Sequence, residues 1–170
     1  MSGKVFSGEQ RIDKPGTPVS DEIPIEIRGA EHPWVSRGGI KLDHALDRFG
    51  IDATGATAID VGASTGGFTD VLLARGARHV YAVDVGYGQL HWKLRQDGRV
   101  TVLERQNARH LTNEHIPAPV DLIVCDVSFT RLDSVLSVPM GFTAGGAYLV
   151  ALIKPQFEVA KNEVGQGGIV

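Results

Sequence analysis

The chain of 170 residues has one cysteine, Cys125, and no apolar stretch of membrane length. A single thiol has no partner for a disulfide within the chain, so an oxidising compartment is not required and a cytoplasmic location is expected. The amino-terminal residues mix Lys4, Glu9, Arg11 and Asp13 without the apolar core of a secretory signal. The longest apolar run, Ala147 to Ile153, falls far short of the roughly 20 residues that a spanning helix needs. Neither secretion nor membrane insertion is expected. A basic excess is lacking as well: 17 Lys and Arg face 20 Asp and Glu, for a net charge of −3 and a pI near 6.0. Attraction to a polyanion must therefore come from a local patch, because the whole molecule supplies none. No metal centre is expected.

What is present supports one proper core with a small appendage, since 42% of the residues are hydrophobic and a chain of this length fills about one domain. Residues 1–33 carry turn signals at Ser7-Gly8, Lys14-Pro15-Gly16 and Arg28-Gly29, with β-prone runs at Val5-Phe6 and Ile23 to Ile27 between them. Small hairpins with little core are predicted there. From Trp34 the texture changes. Leu42, Ala45, Leu46 and Phe49 form one apolar helical stripe, and Gly50 supplies its stop. Apolar runs then alternate with helical patterns. Strands are predicted at Thr57–Val61, His79–Val85, Val100–Leu103, Leu122–Val127 and Ala147–Ile153. Helical stripes follow at Phe68/Val71/Leu72, Tyr87/Leu90/Leu94 and Leu132/Val135/Leu136. Such repetition predicts an α/β fold with a doubly wound, mostly parallel Rossmann-like sheet. Sheets of this class commonly have six or more strands, so a sheet lacking its last strands is expected, cut short at Gly167 to Val170.

The segment Asp60-Val61-Gly62-Ala63-Ser64-Thr65-Gly66-Gly67-Phe68 lies where the first of these strands runs into a helix. Open α/β sheets bind ligands at that place. Glycines there allow close backbone approach, and the N–H groups of a helix start can hold a carboxylate. Asp60 can attract an ammonium group. Asp84, at the end of the second strand, is placed to accept hydrogen bonds from both hydroxyls of a ribose. The glycine spacing departs from the G-x-G-x-x-G of dinucleotide sites, which favours a sulfonium amino acid, S-adenosylmethionine, over a pyrophosphate. Asn107, past the third strand, either faces an adenine or caps a turn.

Asp126 and Lys154 stand at the carboxyl ends of apolar strands, where charge is seldom found without a partner or a task. In the usual strand order both look onto the cofactor's methyl group, and the alternative is a structural ion pair. Methyl transfer to a hydroxyl needs the oxygen aligned behind the methyl and its proton removed. A lysine, ordinarily protonated near pH 7, does this only if burial or a neighbouring cation favours the free amine. Lys41 is a candidate for that neighbour, or else a lysine on a solvated helix face.

Five blocks, Trp34 to Leu42, Asp60 to Asp70, Tyr81 to Leu90, Cys125 to Phe129 and Ile153 to Glu158, closely resemble the TlyA (hemolysin A) family in order and spacing. The resemblance covers nearly the whole chain. It implies an amino-terminal S4 RNA-binding domain joined to an FtsJ-like methyltransferase domain that methylates cytidine 2′-hydroxyls of ribosomal RNA with S-adenosylmethionine. Ribosomal RNA and ribosomal subunits are the implied partners. Lys41, Asp126 and Lys154 match the first three members of the family's Lys-Asp-Lys-Glu tetrad. Lys154 would activate the ribose oxygen, while Lys41 and Asp126 orient it and set the local charge. Cofactor contact is implied for Asp60, for the turn from Gly62 through Ala63, Ser64, Thr65, Gly66 and Gly67 to Phe68, and for Asp84, Asn107 and Asp126. RNA contact is implied for Ser36 and Arg37. The tetrad's glutamate would lie beyond Val170, and neither Glu158 nor Glu163 stands at the matching place. Residues 1–33 resemble only the second half of an S4 domain, and residues 34–170 the methyltransferase domain.

Three readings follow. The first is a ribosomal RNA 2′-O-methyltransferase with an impaired grip on its substrate. The second, motivated by the missing glutamate and short sheet, is a non-catalytic remnant that binds cofactor or RNA. The third takes the hemolysin label literally, but no segment of membrane length supports it.

Overall fold

The computed structural model describes residues 5–12, 14, 16–27 and 32–170. Of the expected features, the Arg28-Gly29 turn and Pro15 lie outside the described residues. Two compact units result, Met1–Pro33 and Trp34–Val170. The first holds a three-stranded antiparallel sheet of β1 (Val5–Ser7), β2 (Gln10–Arg11) and β3 (Ile25–Ile27) in the order β2-β1-β3. Gly8 makes the first reversal at a φ of 57°, a left-handed conformation that glycine adopts without steric cost.

The second unit is α/β. Its helix α1 (Gly38–Phe49) ends at Gly50, which is left-handed and bonds back to the last turn, as its place after the apolar stripe predicts. The stripe is narrower than expected, because Leu42 and Leu46 are buried whereas Phe49 is exposed. Five strands follow: β4 (Thr57–Val61), β5 (His79–Val83), β6 (Val100–Leu103), β7 (Val120–Cys125) and β8 (Thr143–Ala151). All pair in parallel, in the order β6-β5-β4-β7-β8. The central strand β4 is buried throughout, as a parallel strand covered on both faces must be.

Side-chain alternation along the strands divides the core into two layers. On one face Ala58, Ala82, Leu122 and Val124 pack with Leu42 and Leu46 of α1 and with Val71 and Leu72 of α2 (Gly67–Ala74). On the other, Ile59, Val61, Val83 and Ile123 pack with Ala108, Leu111 and with Val135 and Leu136 of α4 (Leu132–Leu136). Between β5 and β6 only one turn, α3 (Trp92–Arg95), is helical. Chain order reverses between β4 and β7, so the crevice beyond their carboxyl ends is the switch point of the sheet.

Candidate active site

The site begins at one glycine. A Cβ on Gly62 would lie 2.9 Å from both the Asp126 carbonyl oxygen and Val127 Cγ1, and its φ is 82°. Only glycine lets the turn after β4 pass so close to the end of β7. Gly66, at a φ of 94°, meets the side chains of Leu90 and Leu94 in the same way. Between them Ser64 is itself left-handed, with a φ of 48°. Its N–H donates to Asp84 Oδ2 at 2.7 Å, and the Gly86 N–H donates to Asp84 Oδ1 at 2.7 Å. Asp84 thus ties the β4–α2 turn to its own loop. Its backbone N–H donates to Leu103 at 3.0 Å, which continues the β5–β6 pairing one residue beyond the strand.

Asp60 is 1% exposed. Alternation turns its side chain towards α2, where Oδ2 accepts from Thr69 Oγ1 at 2.6 Å and Oδ1 has no hydrogen-bond partner. Burial, reinforced by the nearby Asp84 and Asp126 charges and only partly offset by Thr69, pushes its pKa up to about 7. Asp60 therefore stands behind the turn, and it lines neither of the cavities that the turn borders.

Those cavities adjoin. One, of about 530 Å³, runs past Gly62, Ser64, Asp84, Gln89 and Asn107 to Arg109 and Phe129. The other, of about 330 Å³, is bounded by Ser36, Lys41, Thr65, Gly67, Phe68 and Lys154. Gly62, Ser64, Asp126 and Ser128 belong to both walls. Together they fall within the size range of small-molecule sites. Ala63 also lines the second cavity, whereas Gly66 supports the turn from behind. Asn107 lines the first and also caps the short helix Ala108–His110, accepting from the Arg109 N–H at 3.1 Å. The turn-capping role is thus present, on a residue that also stands at the cavity wall.

At the shared wall three charges converge. Lys41 Nζ donates to Asp126 Oδ2 at 3.0 Å, and Lys154 Nζ lies 2.6 Å from Asp126 Oδ1. The second approach is an ion pair whose angles fall outside those of a hydrogen bond. Lys154 gives its hydrogen bond to Ser128 Oγ instead, at 2.9 Å. Backbone pairing fixes the cluster's platform, with Asp126 N–H donating to Val61 at 3.2 Å and Leu152 N–H to Cys125 at 2.9 Å. Burial works to raise the Asp126 pKa, but the ammonium groups of Lys154 and Lys41 outweigh it and hold the carboxyl below its ordinary range. Two cations and one carboxylate leave a net positive charge beside the cavities.

Ser36 lines the second cavity, and its neighbour Arg37 is exposed at the start of α1. Their segment is anchored by Asp70, whose Oδ2 accepts the Val35 N–H at 2.9 Å and whose Oδ1 pairs with Lys93 at 3.0 Å. Glu158 accepts the Leu132 N–H, and Glu163 the Ala160 N–H, so both hold local backbone.

Several wall residues, Ser128, Phe129 and Arg109 among them, were not singled out by sequence reasoning. Ser128 and Phe129 lie within the Cys125–Phe129 block, where the acid drew the attention. Phe129 is 90% exposed, left-handed at a φ of 64°, and its ring lies 5.1 Å from that of Phe157. Arg109 donates to Thr130 Oγ1 at 2.8 Å, across the mouth of the larger cavity.

With this geometry in place, the comparisons with known proteins are specific. The FtsJ-like methyltransferase family matches residues 34–170. The chain is 54% identical over 172 residues to the 16S/23S rRNA (cytidine-2′-O)-methyltransferase TlyA of Mycobacterium tuberculosis, covering 98% of this chain and 64% of that protein. It is 39% identical to hemolysin A of Brachyspira hyodysenteriae, over 100% of this chain and 71% of that protein. A solved Streptococcus thermophilus protein described as a hemolysin superposes with a TM-score of 0.82 at 42% identity, over 98% of this chain and 62% of that one. The chain thus spans less than two thirds of the length of two of these three relatives. Among the described residues, no helix is long and apolar enough to cross a membrane.

Proposed function

This chain belongs to the FtsJ-like methyltransferase family, and on that premise we propose that it carries the core of an S-adenosylmethionine-dependent methyltransferase acting on a ribose 2′-hydroxyl, that of a cytidine in ribosomal RNA. The observation that carries this reading is the Lys41–Asp126–Lys154 cluster on the wall common to both cavities. A cofactor-binding turn alone would suit any methyltransferase, whereas a carboxylate between two lysines suits a hydroxyl that must lose a proton.

The residues present fit the cofactor. Each Asp84 oxygen accepts one backbone N–H and retains capacity for a ribose hydroxyl. The first turn of α2, with Gly67 and Phe68 at the smaller cavity, offers N–H groups to the methionine carboxylate. Asp60, which stands behind the Gly62 turn, would act on the cofactor's ammonium group only through its charge. Asn107 and the loop around it flank the adenine. When bound, the cofactor supplies an electrophilic methyl group. Lys154 accepts the acceptor hydroxyl's proton at Nζ, while Lys41 and Asp126 orient the acceptor and set the local charge. Phe129 offers an exposed flat face on which an unstacked base can rest. Ser36 and Arg37 meet the RNA strand beside the cluster. Residues 1–33 correspond to part of an S4-like RNA-binding unit. A ribosomal RNA substrate places the protein in the cytoplasm.

Transfer of labelled methyl from S-adenosylmethionine to ribosomal RNA, mapped by resistance of the modified nucleotide to alkaline cleavage, tests the reading. Lys154→Ala is expected to lower the rate by about 10²- to 10⁴-fold, the usual contribution of a positioned base, with cofactor binding retained. Unchanged transfer removes Lys154 from the mechanism. Cofactor binding without any transfer by the wild-type chain favours the non-catalytic remnant.

A further inference from the structure

Of the two close partners of the Lys154 amine, only one is directional. Ser128 Oγ accepts its hydrogen bond at 2.9 Å, whereas Asp126 Oδ1, though nearer at 2.6 Å, attracts it outside hydrogen-bonding angles. Ser128 sits three residues past β7 and Lys154 three past β8, so this bond joins the ends of two neighbouring strands. Ser128 also belongs to the wall between the two cavities. None of the tetrad positions falls on it.

A lysine amine is a compact charge on a flexible stem with rotatable donors. A single ion-pair partner draws such a group in without fixing its rotation. A second partner, held by backbone and accepting along a defined direction, fixes it. The neutral amine has two N–H groups and one lone pair. With one N–H group directed to Ser128 Oγ and the Asp126 carboxylate drawing the amine in by charge, the lone pair is left to a remaining tetrahedral position.

We propose that Ser128 is a positioning residue for methyl transfer, holding the Lys154 amine so that its free position meets the acceptor hydroxyl. The proposal rests on the reading of the site as a ribose methyltransferase. In the transfer the oxygen–carbon bond forms as the carbon–sulfur bond breaks, the hydroxyl proton passes to Lys154 Nζ, and sulfur keeps the bonding pair as a neutral thioether. Ser128 gives up nothing and accepts the same hydrogen bond throughout. A hydroxyl suits this task because it carries no charge, whereas a second carboxylate beside that of Asp126 would further favour the ammonium form and oppose proton acceptance.

The test compares Ser128→Ala and Ser128→Thr in the full chain, with steady-state transfer to ribosomal RNA as one readout. The second readout is acetylation of Lys154 by acetic anhydride, followed by peptide mass spectrometry without RNA or cofactor. Ser128→Ala is expected to lower kcat by about 10- to 100-fold, because misplacement of a reacting group on the ångström scale costs up to about 10²-fold. KM for RNA and Kd for S-adenosylmethionine should stay within about twofold, the pattern of an interaction that matters only at the transition state. Ser128→Thr, which keeps the hydroxyl, should restore most of the rate. Lys154 should acetylate faster in the alanine variant while Lys41 does not change. Equal kcat for Ser128→Ala and wild type overturns the proposal alone, as does a loss confined to KM or to cofactor binding. Absence of transfer by the wild-type chain overturns the functional reading and this proposal with it.

Discussion

A buried carboxyl with one unpartnered oxygen is a costly thing to keep in a core, and Asp60 is such a group. Its pKa of about 7 lies above the value near 3.9 expected when the chain unfolds. The folded state therefore binds more protons than the unfolded state between those limits. The stability contributed by Asp60 is fully present below about pH 4 and is lost as pH rises through about 7. Asp126 works in the opposite sense, since its carboxyl is held below the usual range and its contribution is lost in acid. Comparing wild type with Asp60→Asn isolates the first effect. Asparagine can still accept from Thr69 but cannot titrate. Urea unfolding at intervals from pH 5 to pH 8 should show the wild type losing about 2–3 kcal/mol relative to the variant across that range. Parallel stability curves for the two proteins would show that Asp60 is not the titrating group. The sequence marked Asp60 as a strand-end acid, which it is. Which way its side chain turned depended on the parity of one strand against α2.

At the scale of elements, Asp70 does most to make the site coherent. It is 8% exposed in the first turn of α2, and its two oxygens bind the backbone before α1 and the ammonium of Lys93 in α3. Three elements around the cofactor turn are thereby held by one carboxylate. Asp70→Ala leaves the Val35 N–H and the Lys93 charge without that acceptor, and removing one partner of a part-buried charged hydrogen bond costs about 2–3 kcal/mol. Chemical denaturation should register that loss, and cofactor affinity should fall with it. Full retention of both would show that packing of Trp34 on Gly39 suffices to place the segment. The elements themselves were largely legible. Continuous apolar runs and the Gly50 stop located the five strands of the second unit and α1, because a parallel strand buried on both faces has little choice but to be apolar. The ends of strands were less so. The apolar runs continue to Val85, Val127 and Ile153, but the ladders stop at Val83, Cys125 and Ala151, and Val85 and Ile153 emerge into solvent. Apolarity records burial in most places, while a strand ends where its partner's backbone is no longer in reach. For the same reason Tyr87, Leu90 and Leu94 suggested a longer helix than α3. Leu90 and Leu94 are buried beside Gly66, with only Leu94 on the helical turn, while Tyr87 lies exposed beneath the Arg105 guanidinium. The ring of Phe129 could not be placed from sequence, since a left-handed backbone at a non-glycine residue leaves no compositional trace.

At the scale of the whole molecule, a net charge of −3 stands against the proposed polyanionic substrate. The charges are unevenly spread. Four of the nine arginines of the second unit are paired with neighbouring acids: Arg75 with Asp43 and Asp47, Arg95 with Glu104, Arg99 with Asp97 and Arg131 with Asp133. Around the cavities, Arg109 bonds to an uncharged threonine, and Lys41 and Lys154 share a single carboxylate. With the exposed Arg37, the rim carries a small positive field on a protein that is otherwise mildly acidic. Such a field can order a few phosphates but cannot supply broad non-specific affinity. The salt dependence of RNA binding reports how many. For single strands each neutralised phosphate contributes about −0.7 to the slope of log K against log salt, so three rim cations, Arg37, Lys41 and Arg109, predict a slope near −2 for this chain. Arg109→Ala should make it shallower by about 0.7 and weaken binding without regard to base sequence. A slope several times steeper would place the main RNA contacts away from this rim. A slope unaffected by Arg109→Ala would mean that the guanidinium serves the Thr130 contact across the cavity mouth and not the strand.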